Sequence, residues 1–418
     1  MRLGIQRNMR PVQASRRILT PDPAGLAITD ERDPLRHGSA PPLPIRVCFL
    51  IDRLGYGGTE LQLVALIRAL DRRLVAPHLA LLDGSDPESR ALEPAECPVL
   101  RLGVRRLLRP RTLVSLSRFV RFLRRAKIDV LQAYFADSAC FALVAGKLAR
   151  IPCLVRTRNN AHRSDTRVQQ ILARLLGRFA TLTVANSEAA RGAVVEEDGA
   201  DPRTVVVVPN GADPGRFSGI PLPDSEDAAT ARSRKVGMVA NLRRVKGVDV
   251  FVRAAPLVKE THPAVSFHVV GEGPDRGKLE ALVAELGLAK SFRLEGRCSD
   301  VAGFLADLDV AVLSSRSEGM PNAVLEYMAA GRPIVATAVP GVVSLLRDGE
   351  DGILVPPDSP PHLAAAIGTL LADRKLAARV AATARARARS EFSIEAKARI
   401  FSKLWRDCLL AKAHRRPE

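Results

Sequence analysis

Residues 314–331 read SSRSEGMPNAVLEYMAAG, and they hold both the end of a strand and the start of a helix. The apolar run from Asp309 to Ser315 predicts a buried strand. SRSEGMP then leaves its carboxyl end, where open α/β sheets bind ligands. Pro321 suits the first helical turn, because its missing N–H costs nothing there. The amides of Asn322, Ala323 and Val324 are then donors without intrahelical partners, at a terminus that carries about half a positive charge. Such an end binds phosphate well. Glu318 on the loop and Glu326 on the helix would lie on either side of that anion and accept hydrogen bonds from hydroxyls flanking it. A diphosphate with a sugar at each end has this shape. A Gly-Pro loop before a helix is equally ordinary turn chemistry, and the surroundings decide between the two.

Outward from this stretch, β-branched runs alternate with helical patterns. From residue 44 the runs are IRVCFLID, VAPHLALLD, KIDVLQAYF, PCLVRTR, TLTVANS and TVVVVPN; after residue 233 they are KVGMVANL, VSFHVVGEG, FRLEG, VAVLSSRSEG, RPIVATAV and DGILVPP. Strand and helix in alternation predict a parallel sheet covered on both faces. At 418 residues the chain suits two cores rather than one. The expected organisation is a disordered leader over 1–43, a Rossmann-like domain over 44–218, a Pro/Asp/Ser/Ala linker over 219–233, a second Rossmann-like domain over 234–392, and a C-terminal amphipathic helix over 393–412. Two doubly wound domains face each other across a cleft.

Other motifs cluster at strand ends. Lys246, in NLRRVKG after KVGMVANL, supplies a cation for phosphate, as do Arg243 and Arg244. In RLGYGGTE, residues 53–60, Gly57 and Gly58 permit close approach of backbone to ligand. Thr59 with Gln62 three residues on matches a capping box. PNG at 209–211 and GEGP at 271–274 also follow strands and read equally as turns. Asp307-Leu308-Asp309 has the look of a metal-binding D-x-D, but it enters its strand at the amino end, so no metal is expected from it. The seven histidines are scattered. Six cysteines, Cys48, Cys97, Cys140, Cys153, Cys298 and Cys408, lie far apart without zinc spacing, and they read as small buried residues outside any disulfide.

The composition is 47% hydrophobic with a net charge of +18, and no apolar run approaches the roughly 20 residues of a spanning helix. The opening residues lack the apolar core of a secretory signal, which points to the cytoplasm. Residues 101–127, RLGVRRLLRPRTLVSLSRFVRFLRRAK, carry ten Arg/Lys and no acid. A basic amphipathic helix of this kind suits an anionic membrane surface, or is simply a solvated face. Nucleic acid ranks lower, because aromatics make up only 4% of the chain and no stacking platform is visible.

Together SSRSEGMPNAVLEYMAAGRPIVAT, GYGGTE, PNGADPGRF, VKG, GEGPDRGKLE and DGILVPP resemble family 4 glycosyltransferases of the GT-B fold, from about residue 45 to 400. The resemblance implies retaining transfer of a sugar from a nucleotide donor, UDP- or GDP-linked, with no metal and no further cofactor. By position, Glu318 would contact donor-sugar hydroxyls and Glu326 the ribose. Lys246 would bind the diphosphate, with Gly58 beside the phosphates, and the backbone of Gly319, Met320, Pro321, Asn322, Ala323 and Val324 would cradle sugar and phosphate. Asn241 occupies the place, five before the lysine, where the family has arginine, so Arg243 or Arg244 would supply the second cation. Asn159 and Asn160, with His162 later, stand where many members have a histidine. The acceptor implied is a glycan or a lipid-linked molecule of cell-surface polysaccharide or lipopolysaccharide synthesis, met at the inner membrane face. A small soluble acceptor and a non-catalytic nucleotide-sugar-binding subunit are the alternatives.

Overall fold

The computed structural model describes residues 43–107, 109–159, 171, 174–223 and 233–413. The expected leader through residue 42, most of the linker, Asn160 and His162 lie outside those residues. Among the described residues the first sheet holds β1 (Ile45–Ile51), β2 (Val75–Leu81), β3 (Val99–Arg101), β4 (Val130–Tyr134), β5 (Cys153–Arg158), β6 (Leu182–Ala185) and β7 (Val205–Val207). The second holds β8 (Lys235–Val239), β9 (Ser266–Val270), β10 (Phe292–Gly296), β11 (Val310–Leu313), β12 (Ile334–Thr337) and β13 (Ile353–Val355). Their orders are β3-β2-β1-β4-β5-β6-β7 and β10-β9-β8-β11-β12-β13. Every pairing is parallel, which requires a crossover, mostly a helix, between successive strands. This is the GT-B arrangement of two α/β domains.

The strands are apolar on both faces because helices cover both. Val47, Cys48, Phe49, Leu50 and Ile51 of β1 are all buried, as are Val310, Ala311, Val312 and Leu313 of β11. In the second core Phe251, Phe267 and Phe292 pack ring to ring at 5.4–5.9 Å. In each sheet the strand order reverses at one place: between β1 and β4 in the first, and between β8 and β11 in the second. Crossovers depart to opposite faces there, which opens a crevice beyond the carboxyl ends.

The helix Ile394–Ala413 returns to the first sheet. Trp405 is fully buried between Phe401 and Phe49, at ring distances of 5.3 and 5.7 Å, and its Nε1 donates to Gln132 Oε1 on β4. The expectation of no disulfide is corrected here: Cys408 on this helix is bonded to Cys153 on β5. The two lie 255 residues apart in sequence, so only the docking of the last helix reveals the pair. No described helix is long and apolar enough to cross a membrane.

Candidate functional site

The loops leaving β8 and β11 are stitched together at the reversal of the second sheet. Gly247, at φ +61°, ends the turn Arg244–Lys246, and a Cβ there would stand 1.9 Å from the carbonyl oxygen of Ser314. Only glycine permits that approach. Arg316 fixes the other side: its N–H donates to the Val245 carbonyl, and its guanidinium grips both carboxylate oxygens of Asp249 at 2.7–2.8 Å. Lys246 and Glu318 are thereby brought face to face. Lys246 Nζ lies 2.7 Å from Glu318 Oε1, which also accepts from Ser315 Oγ at 2.6 Å. From below, Gly341 packs against the Glu318 and Gly319 carbonyls, where a Cβ would approach within 2.4–2.5 Å.

The helix after this loop spans Asn322–Ala329, with Pro321 as its N-cap residue rather than inside its first turn. The first amide with an intrahelical acceptor is Leu325, which donates to the Pro321 carbonyl. The N–H groups of Asn322, Ala323 and Val324 thus precede the helical ladder, in a helix tied to the sheet by Tyr327, whose Oη accepts from Val239 N at 2.7 Å. Glu326 lies one turn on, mostly buried. Burial raises its carboxyl to about 7, against the pull of Arg216, whose Nη1 is 3.6 Å from Oε1.

This end faces the first domain at close range. Asn322 Nδ2 donates to the Gly58 carbonyl at 2.9 Å, and a Cβ on Gly58 would lie 2.7 Å from that nitrogen. A Cβ on Gly319 would stand 2.7 Å from the carbonyl oxygen of Asn159 at the end of β5. Asn210 of PNG donates to Asn322 Oδ1, and its N–H points at the Met320 sulfur. The residues singled out in both domains therefore converge where the two strand reversals meet. Asn241, Arg243 and Arg244 are exposed on the loop after β8, and the Arg244 carbonyl accepts from Arg316 Nη1.

One further motif reading changes, and the Asp-x-Asp reading does not. The capping box at Thr59 is absent: Gly57 is the N-cap of helix Gly58–Ala69, with no side-chain cap. Thr59 Oγ1 accepts from Asn159 Nδ2 instead, and Gln62 pairs with both backbone groups of Gly211. A tertiary contact has taken the polar groups that the local pattern would spend on the helix end. Asp309 receives the N–H of Lys235, and Asp307 the Lys235 ammonium, at the amino end of β8, the edge opposite the site. Ser315 and Gly341 carried no sequence signal for the places they occupy, and the signals at Asn210 and Gln62 did not point to their partners Asn322 and Gly211. Among the described residues no cluster of His, Cys, Asp and Glu could hold a metal ion.

Comparison with known proteins gives this geometry a family. Residues 233–373 match the family of glycosyl transferases group 1, and residues 57–211 the glycosyl transferase 4-like domain. A D-inositol 3-phosphate glycosyltransferase of Geodermatophilus obscurus is 34% identical over 213 residues, 46% of each chain. A lipopolysaccharide core biosynthesis glycosyltransferase, LpsE of Rhizobium meliloti, is 36% identical over 134 residues, 32% of this chain and 39% of that one. The chain thus spans less than half the length of these curated relatives. The crystal structure of Anabaena HepE in complex with UDP superposes with a TM-score of 0.74 at 22% identity, covering 86% of this chain and 99% of that one. The chain belongs to the group 1 glycosyl transferases and has their GT-B fold.

Proposed function

We propose that this protein transfers a sugar from a nucleotide-sugar donor to a glycan or lipid-linked acceptor with retention at the anomeric carbon. The observation that carries the proposal is the cation–carboxylate pair Lys246–Glu318, set at the start of helix Asn322–Ala329, with Glu326 one turn along and Gly58 opposite. Lys246 and the unladdered amides meet the diphosphate, Glu318 the hydroxyls of the donor sugar, and Glu326 the ribose. As the diphosphate leaves, the acceptor hydroxyl attacks from the same face and a phosphate oxygen takes its proton. Lys246 and the helix end stabilise the negative charge that develops on the leaving group. No residue in the proposal requires a metal or a cofactor.

Cell-surface polysaccharide or lipopolysaccharide synthesis at the cytoplasmic face of the membrane is the proposed setting. Support comes from helix Pro110–Arg125. Leu113 and Val114 are each 69% exposed there, beside exposed Arg111, Arg118 and Arg121. Residues 111, 114, 118 and 121 share one helical face, and an anionic lipid surface answers both its charge and its apolar centre. Loss of binding to anionic but not zwitterionic vesicles on replacing the three arginines by glutamine tests this part. Unchanged binding would favour a soluble acceptor.

The donor is tested by thermal shift and titration with UDP-, GDP- and ADP-sugars, on the natural protein and Glu326→Ala. A ligand at 100 times its dissociation constant adds about 2.7 kcal/mol of stability. A selective shift lost in the variant supports the donor site and names the base. Asn241 in place of arginine favours the second reading, a non-catalytic nucleotide-sugar-binding subunit; binding without turnover on any acceptor would support it. No shift with any donor would overturn both.

A further inference from the structure

Lys397 is a buried amine that the reaction does not use. It sits in the first turn of helix Ile394–Ala413, 8% exposed, and Nζ donates to Gln62 Oε1 at 2.8 Å and to Asn210 Oδ1 at 3.3 Å. Both partners lead onward. Gln62 holds the N–H and the carbonyl of Gly211 at 3.0 and 2.6 Å. Asn210 passes its Nδ2 to Asn322 Oδ1, and Asn322 passes its own Nδ2 to the Gly58 carbonyl, each at 2.9 Å. The backbone closes the same junction, for Ala212 exchanges hydrogen bonds with Phe392 and Ile394 at 2.8 Å.

The chemistry of a side-chain amide gives this chain a direction. Each amide has an oxygen that only accepts and a nitrogen that only donates. With the lysine donor at one end, the Asn210 oxygen must face Lys397 and its nitrogen must face Asn322. The Asn322 amide is oriented in turn, with its nitrogen on Gly58. We propose that Lys397 is a positioning residue of the domain junction: by orienting Asn210, and through it Asn322, its amine holds Gly58 of the first domain against the helix that begins at Asn322. The functional consequence rests on the donor-site reading above, because Gly58 and Asn322 are then the two walls of the diphosphate site. Burial lowers Lys397 to about 7, and its two hydrogen bonds go to uncharged amide oxygens, which both the ammonium and the neutral amine can donate to.

The test uses the full chain with Lys397→Met, which keeps length and loses the donor, and Asn210→Ala, which keeps the amine and cuts the relay. Small-angle scattering reads the separation of the domains without any ligand, and titration with UDP, GDP and ADP reads the site. The expected result is a larger radius of gyration in both variants, with affinity for the preferred nucleotide weakened about tenfold or more, while far-UV dichroism is unchanged. Scattering curves that superpose on the natural protein for whichever variant folds would overturn the proposal, as would unchanged nucleotide affinity in a variant that has opened. A natural protein that binds none of the nucleotides would overturn the donor-site reading instead, and scattering alone would then decide the role of Lys397.

Discussion

Lys246 and Glu318, 72 positions apart in sequence, meet at 2.7 Å because adjacent strands β8 and β11 end side by side and Gly247 lets their loops touch. The carboxylate end of the pair is anchored within its own domain. Ser315 holds the same carboxylate oxygen, and Thr337 holds the Ser315 carbonyl at 2.6 Å. On the proposed reading, in which Lys246 meets a diphosphate, this anchoring limits the lysine's rotamers, as preorganised charge stabilisation requires.

Lys246→Met is expected to lower kcat by roughly 100- to 1,000-fold, the usual loss when one preorganised donor to a developing negative charge is removed. It also leaves Glu318, whose side chain is 8% exposed, with the Ser315 hydroxyl alone on the oxygen that both groups had shared. The stability cost is about 1–3 kcal/mol, that of a buried polar group losing its partner. Steady-state kinetics and urea unfolding on one preparation separate the two effects. Turnover within a few-fold of normal would remove Lys246 from the reaction.

Glu326 gives the site a pH dependence with a defined sign. Burial raises its carboxyl from 4.5 to about 7, more than Arg216 lowers it. The folded state then binds the proton more tightly than the unfolded chain. Stability from this group is fully present below 4.5 and is lost as pH rises through 7, at up to about 1.4 kcal/mol per unit. If Glu326 meets the ribose as proposed, nucleotide affinity runs the other way, because the ionised carboxylate is the better acceptor for a hydroxyl. UDP binding is expected to tighten from pH 6 to 8, and Glu326→Gln to abolish both slopes. Parallel slopes in the two proteins would show that another group titrates.

Both Rossmann-like domains were legible because most strands are short apolar runs followed by turn residues, as in PNG after β7 and GEGP after β9. β3 escaped because Val99–Arg101 is three residues long and none of them is fully buried. Local pattern also sufficed to put Lys246 and Glu318 on loops at strand ends. It failed where the partner lies far away along the chain. Thr59 and Gln62 satisfy a capping pattern, yet Asn159 and Gly211 claim them. Ser315, Asn210 and Gly341 resemble any loop serine, turn asparagine or glycine until the fold brings Glu318 and Asn322 to them. Cys153 and Cys408 are joined by a helix that returns across the first sheet, a contact that no spacing rule encodes.

Two glycines separate stability from closure. A methyl on Gly247 would meet the Ser314 carbonyl within one domain, at a positive φ, whereas a methyl on Gly319 would meet the Asn159 carbonyl of the other domain. Gly247→Ala is expected to destabilise the second domain by at least about 2 kcal/mol, combining strain and overpacking. Gly319→Ala can relieve its clash by parting the domains, so its thermal midpoint should stay within about 3 °C while UDP affinity falls about tenfold. The reverse ranking in thermal unfolding would mean that the domains resist parting more strongly than the second core resists strain.

The last helix is predicted to report on the first sheet through one hydrogen bond. Trp405 Nε1 donates to Gln132 Oε1 at 3.0 Å in a fully buried site, and the Gln132 amide nitrogen is spent on Tyr134 and Thr157. Trp405→Phe keeps much of the ring packing against Phe49 and Phe401 but strands that oxygen, at a cost of about 1–3 kcal/mol. Gln132→Leu strands the indole N–H and should cost a similar amount. In the double variant neither group remains to be satisfied, so its loss should be clearly smaller than the sum of the single losses. A coupling of more than about 0.5 kcal/mol in urea unfolding would show that the pair acts as a unit. Additive losses would assign the docking of this helix to ring packing alone.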